Sequence, residues 1–402
     1  MRPITSTISL DEARRIVSDT VQPLERTETV ALEAAPGRVV AEPVIAPHDV
    51  PPFARAAMDG YAVVAADLAG ATRETPRELR ILERVYTGAL PSSTIAPGTC
   101  AEIATGAPMP AGADAVVMVE ETDHGDGRTV RIFASARTGQ NIGAQGADIQ
   151  AGQVVLARGE WLNASRVGAV AAVGLGAVEV FLKPRVALLS TGNEIVPPGT
   201  ALQPGQIHDI NRYTLSAIVS ANGGVPVPRR AAHDTLEDLE RAVDDCLDCD
   251  VLVFSGGSSV GDRDYILDVL GRRGEVLFHG ISVKPGKPTA FGRIEGKPFF
   301  GMPGYPTSCL SNGYMLLAPA LRQMARLPED RARTVEVPLA AAVRSAHGRH
   351  QFYTVRLEHG QAVPAFKASG DITSMSRADG YFEIDADTDV VPAGTVVTVT
   401  LF

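Results

Sequence analysis

The sequence is poor in cysteine, histidine and aromatic residues and carries no excess of positive charge, and each scarcity removes a class of function. Four cysteines in 402 residues are too few for a disulfide framework. Two of them, Cys246 and Cys249, form a single C-x-x-C, but Leu236, Leu239, Val243 and Leu247 give the surrounding segment the period of a helix. A redox or zinc site would need a second ligand pair or a strand just before the first cysteine. The pair is therefore read as reduced helix cysteines, and Cys100 and Cys309 as small buried residues rather than nucleophiles. The eight histidines include no H-x-x-x-H pair that would set two imidazoles on one helix face, so no dedicated transition-metal site is expected.

A formal net charge of −10 would repel a phosphate backbone, which excludes non-specific nucleic-acid binding and requires any anion site to be local. Long hydrophobic runs are also missing. The longest, over 167–178, is glycine-rich and too short to span a bilayer. Residues 1–9 lack a basic segment followed by an apolar core, so a cytoplasmic location with no membrane partner is expected.

What is present is the material for packed cores. Hydrophobic residues make up 45% and charged residues 21% of the chain, and its length predicts roughly two to four domains. Ser9 and Glu12 stand at capping-box spacing, and Leu10, Ala13, Ile16 and Val17 follow on one face, which predicts a helix over 9–21. From about 43 to 138, proline and glycine punctuate short extended runs such as LRILERV, DAVVMVEE and TVRIFASA, the pattern of a small β domain. A glycine-rich stretch over 141–159 then leads to an apolar helical segment over 162–173, expected to pack on the first helix. The β domain reads as an insertion. From 186 to 326, strands (VALLS, VPVPRRA, DVLVFS, VLFHG, FFGMP) alternate with helices, which predicts a mainly parallel sheet covered on both faces. From 334 to 402 the chain returns to β-branched runs, FYTVRL, YFEI and TVVTVTLF.

Chemistry concentrates where the α/β strands end, since ligands of open α/β sheets lie beyond the carboxyl ends of the strands. Four loops qualify: STGNE over 190–194 followed by GQIHDIN to Asn211, SGGSSVGDRD over 255–264, KPGKP over 284–288 and MPGYPTS over 302–308. One glycine-rich turn after a strand is a common structural device, KPGKP taken alone is a solvated basic turn, and Ser308 taken alone is a helix cap. Four together offer phosphate cradles, carboxylates and two lysines at one rim. That set suits a phosphorylated ligand with an additional oxyanion and a divalent cation.

These strings, with AMDGYA at 57–62 and ATGAPMPAGADAVVM at 104–118, follow the order and spacing of the MoeA family of molybdopterin molybdenumtransferases, a pattern also seen in the gephyrin E domain. The resemblance covers essentially the whole chain. It implies a multi-domain α/β plus β fold: a helical linker domain (1–42 and 141–183), an inserted β domain (43–140), a doubly wound MogA-like α/β domain (184–328) and a C-terminal β-barrel-like domain (329–402). The implied activity is insertion of molybdate into adenylylated molybdopterin with Mg²⁺-dependent release of AMP, in a homodimer whose sites are shared between subunits. Asp59, Thr105, Glu194 and Asp264 match catalytic residues, with Asp264 and Glu194 for the metal. Matching the nucleotide and pterin loops are Ser190, Thr191, Gly192, Gly256, Gly257, Ser259, Gly261, Asp262, Pro303 and Gly304. Lys284, Lys287, Pro288, Ser308, Arg349 and Ser369 match the surroundings of molybdate, and Lys and hydroxyl donors suit a tetrahedral dianion. Molybdopterin adenylyltransferase and acceptor molybdoenzymes are the implied protein partners.

The chain departs from the family pattern at Ala54, Arg55 and Ala56, where polar residues usually precede AMDGYA. It departs again at Gly143, Ala144 and Ala147, ahead of Asp148, and at Tyr305 in place of the more frequent Asn. Two alternatives remain open. One is a molybdopterin adenylyltransferase, which shares the α/β domain and needs neither flank. The other is a scaffold or carrier that binds the pterin without turnover.

Overall fold

The computed structural model describes residues 6–124, 127–233, 235–256, 265–329 and 332–402, and the chain separates into two compact units. One comprises Met1–Glu28, Gly37–Val39 and Val180–Phe402, the other Thr29–Pro36 and Val40–Glu179.

Helix α1 spans Leu10–Thr20, and its cap is the one expected: the Glu12 N–H donates to Ser9 Oγ at 3.1 Å. Its apolar face is occupied differently from the expectation. Leu10, Ala13 and Val17 enter the core of the α/β unit together with Val186, Leu188 and Phe300, so α1 belongs with the α/β sheet rather than with the later helix. That later helix, α2 (Ala164–Ala172), lies in the other unit, where it packs on the strand Val154–Leu156.

The inserted region folds on a six-stranded sheet. Its strands are β1 (Gly60–Val63), β2 (Arg77–Val85), β3 (Thr99–Ile103), β4 (Ala115–Met118), β5 (Thr122–His124) and β6 (Thr129–Ile132), in the order β4-β1-β3-β2-β6-β5. The three runs read from the sequence are β2, β4 and β6. Strand β1 is buried along its whole length, pairing β3 on one side and β4 on the other. Gly60 permits this, because a Cβ there would collide with the backbone carbonyl of Val117.

The α/β unit carries β7 (Arg185–Ser190), α3 (Asn211–Ala221), β8 (Val225–Pro228), α4 (Leu236–Cys246), β9 (Val251–Ser255), α5 (Tyr265–Arg273), β10 (Gly274–His279), β11 (Val283–Lys284), β12 (Ala290–Ile294) and β13 (Lys297–Met302). Its sheet runs β8-β7-β9-β13-β12-β10, parallel through β13, with β12 and β10 antiparallel at one side. Two-residue periodicity sorts the strands between two cores. Val186, Leu188, Val251 and Val253 face α1 and α3, while Ala187, Leu189, Leu252 and Phe254 face α4 and α5. This is the doubly wound arrangement expected. The long helical run after MPGYP is α6 (Pro306–Asn312), a π-helical turn over Gly313–Leu317 and α7 (Ala318–Met324).

The C-terminal β region has β14 (Thr334–Pro338), β15 (His350–Glu358), β16 (Gln361–Pro364), β17 (Gly380–Ile384) and β18 (Val396–Leu401). The sheet order is β11-β15-β17-β18-β14, with β16 beside β15, so a strand of the α/β region enters the C-terminal sheet. Val283 pairs with His350 and Lys284 with Gln351, in parallel. Strand β11 therefore joins the KPGKP loop directly to the C-terminal domain. Among the described residues, no helix is long and apolar enough to cross a membrane.

Candidate active site

Strands β7, β9 and β13 lie parallel and in register, Ser190 beside Ser255 and Ser255 beside Met302. The chain leaving each strand enters one cleft of about 1580 Å³. Its lining brings together Ser190, Thr191, Glu194, Gly256, Lys284, Lys287, Pro288, Pro303, Gly304, Ser308, Arg349 and Ser369, drawn from all four loops read from the sequence and from the C-terminal domain. Gly257, Ser259, Gly261, Asp262 and Asp264 of the SGGSSVGDRD loop lie outside the described residues.

The floor is built where backbones approach closely. Gly256 has φ +100°, and a Cβ there would stand 3.0 Å from Thr191 Oγ1, so only glycine fits between the strand ends. Gly304 packs against Gly256, and its carbonyl accepts from Asn211 Nδ2 at 2.9 Å. The Thr191 hydroxyl and Asn211 Oδ1 are buried with no hydrogen-bond partner among the described residues. Gly192, also expected at the site, holds the STGNE turn at φ +140°. Its missing side chain leaves room for Glu194, whose two carboxylate oxygens lie 2.6 and 2.7 Å from where a Cβ would be.

The KPGKP turn is held from below. Gly286, at φ +107°, has its carbonyl bonded by Thr289 Oγ1 at 2.9 Å and by Asn312 Nδ2 at 2.9 Å, and Asn312 Nδ2 also contacts the Thr289 hydroxyl. Thr289 and Asn312 are fully buried. MPGYPTS is stitched to the C-terminal domain: the Thr307 N–H donates to Ser369 O at 3.1 Å and the Thr307 hydroxyl to Asp371 O at 3.0 Å. Ser308 sits within the first turn of α6, which begins at Pro306 with Tyr305 as its cap, so Ser308 is not the helix cap. Lys284, Lys287 and Arg349 have no carboxylate within ion-pairing distance among the described residues.

Three stretches of the chain match family descriptions: residues 8–174 the MoeA N-terminal region (domain I and II), 187–323 the probable molybdopterin binding domain, and 336–402 the MoeA C-terminal region (domain IV). A molybdopterin molybdenumtransferase 2 of Mycobacterium tuberculosis is 36% identical over 97% of this chain and 98% of its own length. The chain belongs to the molybdopterin molybdenumtransferase (MoeA) family. A member from Haemophilus influenzae is 30% identical over 98% of both chains. Two structures of molybdopterin biosynthesis MoeA proteins from Pyrococcus horikoshii superpose with TM-scores of 0.85 and 0.81, at 39% and 31% identity. They cover 98% and 99% of this chain, and 99% and 100% of their own. MoeA proteins act in molybdenum cofactor biosynthesis, and this chain is a transferase of that family.

Two further residues expected at the site from the sequence, Asp59 and Thr105, meet in the second unit. Asp59 Oδ1 accepts the Thr105 N–H at 2.7 Å and its hydroxyl at 2.9 Å. These bonds hold the Asp59 carboxyl below the usual carboxylate range, the backbone N–H contributing most. A shallow hollow lined by Arg84, Tyr86, Glu102 and Val119 adjoins it.

Sequence reading missed several residues of the main cleft. Asp209 and Asn211 stand in GQIHDIN, which marked the loop but not its side chains. Asp209 Oδ1 accepts the Arg212 N–H at 3.1 Å, capping α3. Phe366 and Lys367 lie in no recognisable motif and reach the cleft only through the fold. All four cysteines are free and buried, and burial pushes the Cys100 and Cys246 thiols up to about 12, but α4 ends at Cys246, so Cys249 stands in the turn beyond the helix and not within it as read from the sequence.

Proposed function

We propose that the protein inserts molybdate into adenylylated molybdopterin with release of AMP, the last step of molybdenum cofactor formation. The observation that carries this reading is the set of cationic side chains that line the cleft. In a chain of net charge −10, Lys284, Lys287 and Arg349 line this cleft with no carboxylate partner among the described residues, and the hydroxyl-bearing Ser308 and Ser369 line it with them. Unpaired ammonium and guanidinium groups repel one another unless an anion joins them, and a small dianion accepts from all of them at once. The strand-end floor from Thr191 to Asn211 suits the larger substrate, offering a buried hydroxyl and a carbonyl oxygen to its polar groups.

Magnesium fits the donor set. Glu194 presents an exposed carboxylate at the cleft rim, a hard oxygen donor of the kind Mg²⁺ takes, and Asp264 would supply a second. Bound there, the ion would neutralise phosphate charge and polarise the bond that is cleaved. The chain's own contribution is to hold the oxyanion with Lys284 and Lys287 and to orient the nucleotide over the Gly256 floor. Asp59 would act from the partner subunit of a homodimer, held in its ionised form by Thr105. The reading extends to a cytoplasmic enzyme that receives its substrate from a molybdopterin adenylyltransferase, passes its product to molybdoenzymes, and retains the four-part domain division of the family.

The test is AMP release from adenylylated molybdopterin with Mg²⁺, with and without molybdate. Molybdate-dependent release is expected. Release that ignores molybdate, or ATP-dependent adenylylation of molybdopterin, would replace this reading with hydrolysis or with adenylyl transfer.

A further inference from the structure

Among 37 basic residues the chain has only five lysines, Lys183, Lys284, Lys287, Lys297 and Lys367. Arginine fills nearly every basic position, and many of those arginines are in ion pairs, such as Arg229 with Asp248, Arg273 with Asp244 and Glu295, and Arg166 with Glu160. Lys297 has a structural partner, its ammonium donating to Cys249 O at 2.6 Å. Three of the other four lysines, Lys284, Lys287 and Lys367, line the same cleft. In a chain that otherwise uses arginine, lysine is thus concentrated along this cleft.

Lys367 is the member of this set that no motif marks. Its backbone is fixed on both sides. The Lys367 N–H donates to the buried Ser374 hydroxyl at 3.0 Å, and Thr307 holds the same loop at Ser369 and Asp371. The neighbouring Phe366 ring packs on Tyr353 with centroids 5.6 Å apart. The side chain itself is exposed and has no ion-pair partner among the described residues. A loop hydrogen-bonded on both sides of Lys367 thus presents an exposed ammonium to the cleft from the segment that carries Ser369.

We propose that Lys367 is a further binding residue of the oxyanion pocket, a cation at its mouth that attracts and holds the tetrahedral dianion alongside Lys284, Lys287 and Arg349. The proposal rests on the reading of the cleft given under Proposed function. An exposed charge acts through water, so its effect is smaller than that of an enclosed lysine and is screened by salt.

The experiment compares the full-length wild type with Lys367→Gln and Lys367→Arg. It measures molybdate retention by equilibrium dialysis, the molybdate concentration for half-maximal AMP release, and the affinity for adenylylated molybdopterin. Lys367→Gln should raise the half-saturating molybdate about fivefold and reduce retention in parallel, with nucleotide affinity within about twofold of wild type. Its molybdate affinity should also depend less on ionic strength, and Lys367→Arg should restore most of the loss, which a purely structural role would not produce. Unchanged molybdate affinity in Lys367→Gln, or an equal loss for the nucleotide, overturns the assignment. Failure of the wild type to couple AMP release to molybdate would instead overturn the reading of the site, and dialysis alone would then decide the role of Lys367.

Discussion

A single oxygen of Asp59, Oδ1, takes both hydrogen bonds that Thr105 offers, at 2.7 Å from the N–H and 2.9 Å from the hydroxyl. Both bonds favour the ionised carboxylate, so the folded-state pKa lies below the unfolded one. The pair therefore contributes stability above the usual carboxylate range, and that contribution is lost as pH falls through the depressed value. Asp59 is charged throughout the neutral range. Thr105→Val keeps the larger backbone bond and deletes the hydroxyl bond, so the Asp59 carboxyl should titrate at higher pH than in wild type while remaining depressed. Carboxyl-carbon NMR reads this directly, and an unmoved titration would show that the hydroxyl bond does not form in solution.

If Asp59 serves the site of a partner subunit, two inactive chains should complement one another. Asp59→Asn mixed with Asp264→Asn should regenerate one intact site per heterodimer and recover about a quarter of wild-type AMP release per total dimer under random assortment. Verified heterodimers with no recovered activity would place both residues in one subunit's site.

The strands and the parallel order of the α/β sheet were legible because alternating and continuous apolar runs report burial directly. Val186 and Leu188 serve one core while Ala187 and Leu189 serve the other. Strand β12 was not read, since AFGRI follows KPGKP without a turn signal of its own. The partner of α1 was misassigned because the face of Leu10, Ala13 and Val17 specifies that something apolar covers it, not which sheet does. In the site, glycine loops were visible as turn chemistry, whereas Lys367 and Asn211 depend on tertiary placement. The structure also joins two departures from the family pattern that sequence left separate: Arg55–Ala56 and Ile142–Gly143 pair as a two-stranded ribbon, Gly143 opposite Arg55.

Substitutions at Glu194 and Asp264 test the proposed magnesium site separately from folding. Glu194→Gln keeps the size of the side chain over Gly192 but removes a charged oxygen donor, and Asp264→Asn does the same in its loop. Each should raise the Mg²⁺ concentration needed for half-maximal AMP release by about tenfold or more while leaving the thermal midpoint near wild type. Wild-type magnesium dependence in either variant would remove that residue from the cation site.

Gly286 tests whether the KPGKP turn is preformed. Any side chain there combines a φ of +107° with a Cβ 2.6 Å from Asn312 Oδ1, in a region where Asn312 is fully buried. Gly286→Ala should cost about 1–3 kcal/mol in denaturant unfolding, from strain and overpacking together. It should also weaken molybdate more than nucleotide, because it shifts the backbone between Lys284 and Lys287. A stable variant with unchanged molybdate dependence would mean that the turn has slack and does not position the lysines.

Lys287 distinguishes metal insertion from simple cleavage of a phosphoanhydride. Its carbonyl is held by the Ile281 N–H at 3.0 Å and the Thr289 N–H at 2.9 Å, so the residue is set before ligand arrives and little ordering cost accompanies binding. A small dianion depends on a few charge-assisted contacts of roughly 1.5–3 kcal/mol each, whereas the nucleotide spreads its affinity over many. Lys287→Ala should therefore raise the molybdate needed for half-maximal AMP release by about tenfold or more, with binding of adenylylated molybdopterin nearly unchanged. The effect should exceed that of Lys367→Gln, since Lys287 is partly enclosed by the turn while Lys367 stands in water. Equal losses for both ligands would assign KPGKP to the phosphates, and an unchanged molybdate dependence would place the oxyanion away from this turn.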